Sequence, residues 1–169
     1  MKRVRWLSGL LSAGVLSFTL ATVGAQVAQA QRPIPFADLQ CVNRGKGGYE
    51  NGKWDISVGR QLYTSILVIA PDTALTCRLP GGPASLRLEF AIPDDKERAP
   101  IKIDVYVDGN QVASRIGDKG KVHTMFVDVS NGKSLALEVS CARATNCRDW
   151  AYYFMKAQLE PGARSPGGR

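Results

Sequence analysis

Histidine is almost missing from this chain, His123 being the only one. A nucleophile activated by histidine needs that base held by a carboxylate and within hydrogen-bond reach of a serine or cysteine. His123 instead sits in an ordinary alternating stretch with Val122, Thr124 and Phe126, and reads as a plain surface residue of a strand. No Cys-x-x-Cys occurs, so zinc-ribbon and thioredoxin-like chemistry lack their defining spacing. The acids Asp94, Asp95, Glu97, Asp104 and Glu138 are scattered, and no pair stands out as the two facing carboxyls of a glycosidase. Gly117-Asp-Lys-Gly-Lys121 resembles a phosphate loop superficially but lacks the following Ser/Thr and the helix that the mechanism requires, so it reads as a hairpin loop. Arg44-Gly-Lys-Gly-Gly48 reads as a flexible basic loop. The chain is therefore expected not to be an enzyme.

Long apolar runs are also scarce: one exists, at the start. Lys2, Arg3 and Arg5 precede Leu7–Ala25, which carries no charge, and Ala28-Gln29-Ala30 offers small residues for cleavage. This is the layout of a secretory signal peptide over 1–30, with an uncleaved anchor as the rival reading. A lipoprotein reading fails because the first cysteine, Cys41, lies well past the apolar stretch. The formal charge of +7 falls to +4 once the three basic residues of the leader are removed. Those charges are not clustered, which argues against a nucleic-acid partner. The Pro/Gly-rich segment 161–169 is expected to be a disordered tail. Residues 31–160 are enough for one domain with its own core and no membrane span, secreted or periplasmic.

Four cysteines remain: Cys41, Cys77, Cys141 and Cys147. An even number in an exported chain points to two disulfides, for which three connectivities are open. The preferred one joins Cys41 to Cys77 and Cys141 to Cys147, the second clamping a short loop.

Helical spacing of apolar residues is absent beyond the leader, and period-2 alternation takes its place. Leu75/Cys77/Leu79, Leu86/Leu88/Phe90/Ile92, Ile101/Ile103/Val105/Val107 and Leu135/Leu137/Val139/Cys141 each alternate with polar or small residues. Such runs bury one face and wet the other, as antiparallel sandwich strands do. Asp108-Gly109 and Asn131-Gly132 are strong hairpin signals, because their turns need φ > 0. Residues 101–140 thus read as a four-strand meander, and 151–159 as the last strand. The fold class is an all-β antiparallel sandwich of jelly-roll type.

Sugar rings pack their C–H faces on aromatics while fixed polar groups hold their hydroxyls. Tyr49 and Trp54 flank Asn51-Gly52 in the polar segment 43–55, which reads as loop, and Arg60 or Arg98 could supply the polar partners. The competing view makes Trp54 the start of a strand that closes the sandwich edge. Trp150 is expected in the core, and Tyr152 and Tyr153 on opposite faces of their strand.

Several segments together carry a family likeness: Trp54-Asp-Ile-Ser-Val-Gly59, Leu75-Thr-Cys-Arg-Leu-Pro-Gly81, Phe90-Ala-Ile-Pro-Asp-Asp95, Val105-Tyr-Val-Asp-Gly109, Val127–Val139 and Asp149-Trp-Ala151. In this order they resemble the NPCBM group of carbohydrate-binding modules, whose fold is galactose-binding-like. Departures are Ile66 and Ile69, where the family tends to carry Gly and His, the longer segment between Trp150 and Leu159, and the four cysteines. The resemblance implies a non-catalytic module that recognises a glycan or polysaccharide. The alternative is an accessory or structural protein of the cell envelope that binds another protein. Galactose-binding-like domains often hold a structural calcium near one end, so the resemblance makes Asp94, Asp95 and Asp149 its candidate ligands.

Overall fold

A computed structural model describes residues 32–95, 97–143 and 151–162. Trp150, Asp149 and Cys147 lie outside the described residues, as does the expected leader. Among the described residues, eleven strands form two antiparallel sheets. The first sheet contains β3 (Tyr49–Val58), β4 (Gln61–Ile69), β11 (Tyr152–Pro161), β6 (Ala84–Ala91) and β9 (Val122–Asp128) in that order, with the short β1 (Ile34–Pro35) also paired to β11. The second runs β2 (Cys41–Asn43), β5 (Thr73–Arg78), β10 (Ser134–Cys141), β7 (Ile101–Val107) and β8 (Asn110–Gly117). Among the described residues no helix is long and apolar enough to cross a membrane.

The alternation read from the sequence builds the core. Leu86, Leu88 and Phe90 from the first sheet meet Ile101, Ile103, Val105, Leu135 and Leu137 from the second, all fully buried. Each such side chain contributes roughly 1.5–3 kcal/mol relative to exposure. A 3₁₀ turn, Phe36–Asp38, plugs Phe36 into the same core.

The expected meander is not present. Asp108 and Gly109 do adopt positive φ (51° and 83°) and join β7 to β8 as a hairpin. The chain then leaves that sheet: segment 118–121 crosses the sandwich instead of forming a hairpin loop, and β9 pairs with β6. Asn131-Gly132 likewise returns the chain to the second sheet, where β10 lies between β5 and β7. Alternation shows which face of a strand is buried but not which sheet it joins. His123 faces the core, stacked on Phe90 with centroids 5.5 Å apart, and its Nε2 accepts the Asp118 N–H at 3.0 Å. It is not a surface residue, because Gly117 leaves the room that the ring fills.

A second, smaller core explains the outer face of the first sheet. Ile56, Val58 and Tyr63 of the β3–β4 hairpin pack on Ala91, Val122, Tyr153 and Met155. Ala91, Val122 and Tyr153 alternate with the core residues Phe90, His123 and Phe154, so this cluster lies on the side of the sheet turned away from the main core. The hairpin tip, Gly59 (φ 58°) and Arg60 (φ 67°), is fastened by Asp94, whose carboxylate accepts from the Ser57 hydroxyl and from both tip N–H groups at 2.9 Å each.

Candidate functional site

The site begins at segment 44–48, which carries the chain from β2 at the edge of one sheet to β3 at the edge of the other. It is not flexible. Asn43 Nδ2 donates to Gly47 O at 2.7 Å, Gly47 N donates to Asp72 O at 3.0 Å and Arg44 N to Ala74 O at 2.8 Å. A Cβ on Gly45 would stand 2.0 Å from Asp72 O, so glycine is required there by close backbone approach. The seat fixes where Tyr49 emerges, 42% exposed, as the first residue of β3.

Beside Tyr49 runs an open groove of about 690 Å³, lined among others by Gln40, Val42, Thr76, Arg78 and Lys133. The Cys41–Cys77 disulfide forms part of its wall, joining directly paired residues of β2 and β5. This is the expected pairing; the second expected pair includes Cys147 and so falls outside the described residues. At the far end, Asp108 Oδ1 accepts from Lys133 N (3.0 Å), Ser134 N (2.9 Å) and the Ser134 hydroxyl (3.2 Å). These bonds, led by the Ser134 N–H, hold the Asp108 carboxyl below its ordinary range.

The groove opens onto the outer face of the second sheet. Cross-strand pairing sets Gln111, Tyr106, Ala136, Thr76 and Val42 in one row across it. Next to that row, Asp104 accepts from Lys102 Nζ at 2.7 Å and from Gln111 Nε2 at 3.0 Å. Burial, followed by the charges of Glu138 and Asp104, pushes the Tyr106 phenol up.

The residues singled out from sequence do not share one place. Tyr49 lines the groove. Trp54 lies inside β3 beside a register shift, half-buried, with its indole folded over Gly52, where an added Cβ would come 2.6 Å from Cη2. Segment 43–55 is therefore largely strand rather than loop. Arg60 forms the hairpin tip and is used through its backbone N–H. Arg98 braces β11: its guanidinium donates to Ala151 O and lies 5.5 Å over the Tyr153 ring. Asp94 is engaged by three protein donors, and Asp95 is exposed in the same turn. Among the described residues no group of three or more His, Cys, Asp or Glu could hold a metal ion. Arg78, Lys133, Gln40 and Thr76 were not singled out. Arg78 and Thr76 occupy the outward positions of an alternating strand, which was the available signal; Lys133 and Gln40 arrive only through tertiary pairing.

The arrangement defines a jelly-roll β-sandwich with an aromatic-edged, hydrogen-bonding groove, the general form of a carbohydrate-binding module. The NPCBM/NEW2 domain family model matches residues 15–160, and the chain belongs to that family. Similar solved structures include the CBM51-2 (with GlcNAc) and INT domains of Clostridium perfringens ZmpB, at TM-score 0.64 and 17% identity over 79% of this chain. This chain spans 32% of that structure's length. Another is CBM51 of Clostridium perfringens GH95 in complex with methyl-galactose, at TM-score 0.63 and 12% identity, covering 76% of this chain and 99% of the other. No curated protein matches the chain.

Proposed function

We propose that this chain is an exported, non-catalytic carbohydrate-binding module whose glycan site is the groove at Tyr49. The observation that carries this reading is the placement of an exposed aromatic ring beside Arg78, Thr76 and Gln40, in a chain of the NPCBM/NEW2 family. A ring edge and face at the rim give a sugar's C–H groups an apolar surface, while guanidinium, hydroxyl and amide groups supply directional bonds. Among the described residues the groove lining contains no carboxylate, which supports binding without acid–base chemistry.

The test is binding of the purified protein to a panel of soluble glycans and insoluble polysaccharides, with and without calcium. A ligand retained by the wild type and by Trp54→Ala, but lost on Tyr49→Ala, supports the placement. Retention by Tyr49→Ala with loss on Trp54→Ala would move the site onto the hairpin. Loss on chelation would direct attention to Asp95 and Asp149. Failure to bind any member of the panel would sink the carbohydrate reading.

A further inference from the structure

Some cations of this sandwich are paired with carboxylates and others are not. On the outer face of the first sheet, Arg87 is held by Glu89 (2.5 Å) and Glu160 (3.3 Å), and Lys156 by Glu89 (3.5 Å). On the outer face of the second, Lys102 is held by Asp104 at 2.7 Å. Near the crossing segment, Lys119 is held by Glu97 at 3.1 Å. Other exposed cations, Lys53 and Arg115 among them, make no salt bridge among the described residues. The groove at Tyr49 gathers two such cations, Arg78 and Lys133, and among the described residues its lining holds no carboxylate. Both side chains are exposed, and among the described residues neither makes a salt bridge or a side-chain hydrogen bond.

The two cations are also close neighbours. Arg78 and Ser134 are cross-strand partners, Lys133 precedes Ser134, and the Lys133 carbonyl accepts the N–H of Leu79 at 3.0 Å. Asp108 attracts Lys133, but Asp108 Oδ1 is already taken by the Lys133 and Ser134 N–H groups and the Ser134 hydroxyl. Arg78 makes no salt bridge among the described residues, and its planar fork matches the two oxygens of a carboxylate or the oxygens of a sulfate. The hydrogen-bonding character agrees with the charge. Arg78 and Lys133 only donate, and the other polar side chains of the lining, Gln40, Tyr49, Thr76 and Ser134, offer amide or hydroxyl groups. Such a lining favours a ligand rich in acceptors over one presenting hydroxyl groups alone.

We infer that the groove takes an acidic glycan, with a carboxylate or sulfate of the sugar seated on Arg78 and Lys133 and the pyranose ring against Tyr49. This inference rests on the proposed carbohydrate reading and narrows it to a ligand class.

The test compares polygalacturonate with its fully methyl-esterified form, which has the same sugar backbone without the negative charge, and dextran sulfate with dextran. Affinity is measured for the wild type, Arg78→Gln, Lys133→Gln, Tyr49→Ala and, as a control on the opposite sheet, Arg87→Gln. The expected result is retention of at least one charged polymer and not its neutral counterpart. Arg78→Gln should weaken it about tenfold or more, the size of a lost charge-assisted hydrogen bond. Arg87→Gln should leave it unchanged, and rising salt should weaken it. Equal loss on Arg78→Gln and Arg87→Gln would mean diffuse attraction to a basic protein and would overturn the inference. Equal binding of charged and neutral forms, sensitive to Tyr49→Ala but not to Arg78→Gln, would overturn it while leaving the carbohydrate reading in place. Binding of none of the four polymers, with a neutral glycan retained from the wider panel, would do the same. Binding of no glycan of either kind would remove both.

Discussion

The carboxylate of Asp94 accepts the backbone N–H of Arg60 at 2.9 Å, across 34 residues of sequence. Arg60 sits at φ 67°, a conformation costly for a residue with a Cβ. The long-range bond fixes that turn and holds the hairpin over the outer face of the first sheet.

Because the Arg60, Gly59 and Ser57 donors favour its charged form, the Asp94 carboxyl lies below its ordinary value of 3.8. Its contribution is complete above that value and is lost as pH falls through the lower folded one. Amide exchange should show Gly59 and Arg60 losing protection in acid before the core strands do. Asp94→Ala should produce the same local opening at neutral pH. Unchanged protection of these two amides in the variant would refute the latch.

The three-residue strand β2 is held by its pairing with β5 and by the Cys41–Cys77 disulfide, which closes a loop of 36 residues. Replacing both cysteines by serine should cost about 4 kcal/mol in the chain-entropy view, read as a lower denaturant midpoint. Ligand retention at Tyr49 should fall with it, since β2 forms a wall of that groove. A variant of unaltered midpoint would show that the strand pairing alone is sufficient.

Gly117 faces Phe90 and His123 with no room to spare. A Cβ there would meet Phe90 Cε2 at 2.6 Å and Ile101 Cγ2 at 3.0 Å. Gly117→Ala should destabilise by about 1–3 kcal/mol through overpacking. Pairing it with His123→Ala should recover part of the loss if the two share one space. Purely additive effects in a double-mutant cycle would exclude that.

Burial pushes the Tyr152 phenol up to about 12, with Arg98 pulling the other way. Its hydroxyl donates to Ala99 O at 3.3 Å. The neutral phenol is favoured in the fold, so its contribution is fully present below the ordinary value near 10 and is lost as pH rises from there through 12. An alkaline absorbance titration should show a late tyrosine step that disappears in Tyr152→Phe. Persistence of that step would assign it elsewhere.

What the sequence makes legible here is local. The β7–β8 hairpin was readable because Asp108 and Gly109 carry their own turn geometry, and the buried faces were readable because Leu86, Ile103 and Leu137 alternate. The Gly59–Arg60 turn was not recognised, since its stabilising partner, Asp94, comes from a distant segment. Asn131-Gly132 misled for the complementary reason: a turn signal reports that the chain bends, not that the strands on either side share a sheet. The candidate site divides along the same line. Tyr49 was identified from residue type, whereas Arg78 and Lys133 become neighbours only when β5 pairs with β10.

The strand order has a consequence for synthesis. β11 is the last strand among the described residues, yet it occupies the middle of its sheet, between β4 and β6, and also receives β1. Any nascent chain that stops short of residue 152 therefore has a gap one strand wide between β4 and β6, with Leu67 and Leu88 lacking their β11 neighbours on either side. Until β11 is in place, the first sheet stays open between β4 and β6.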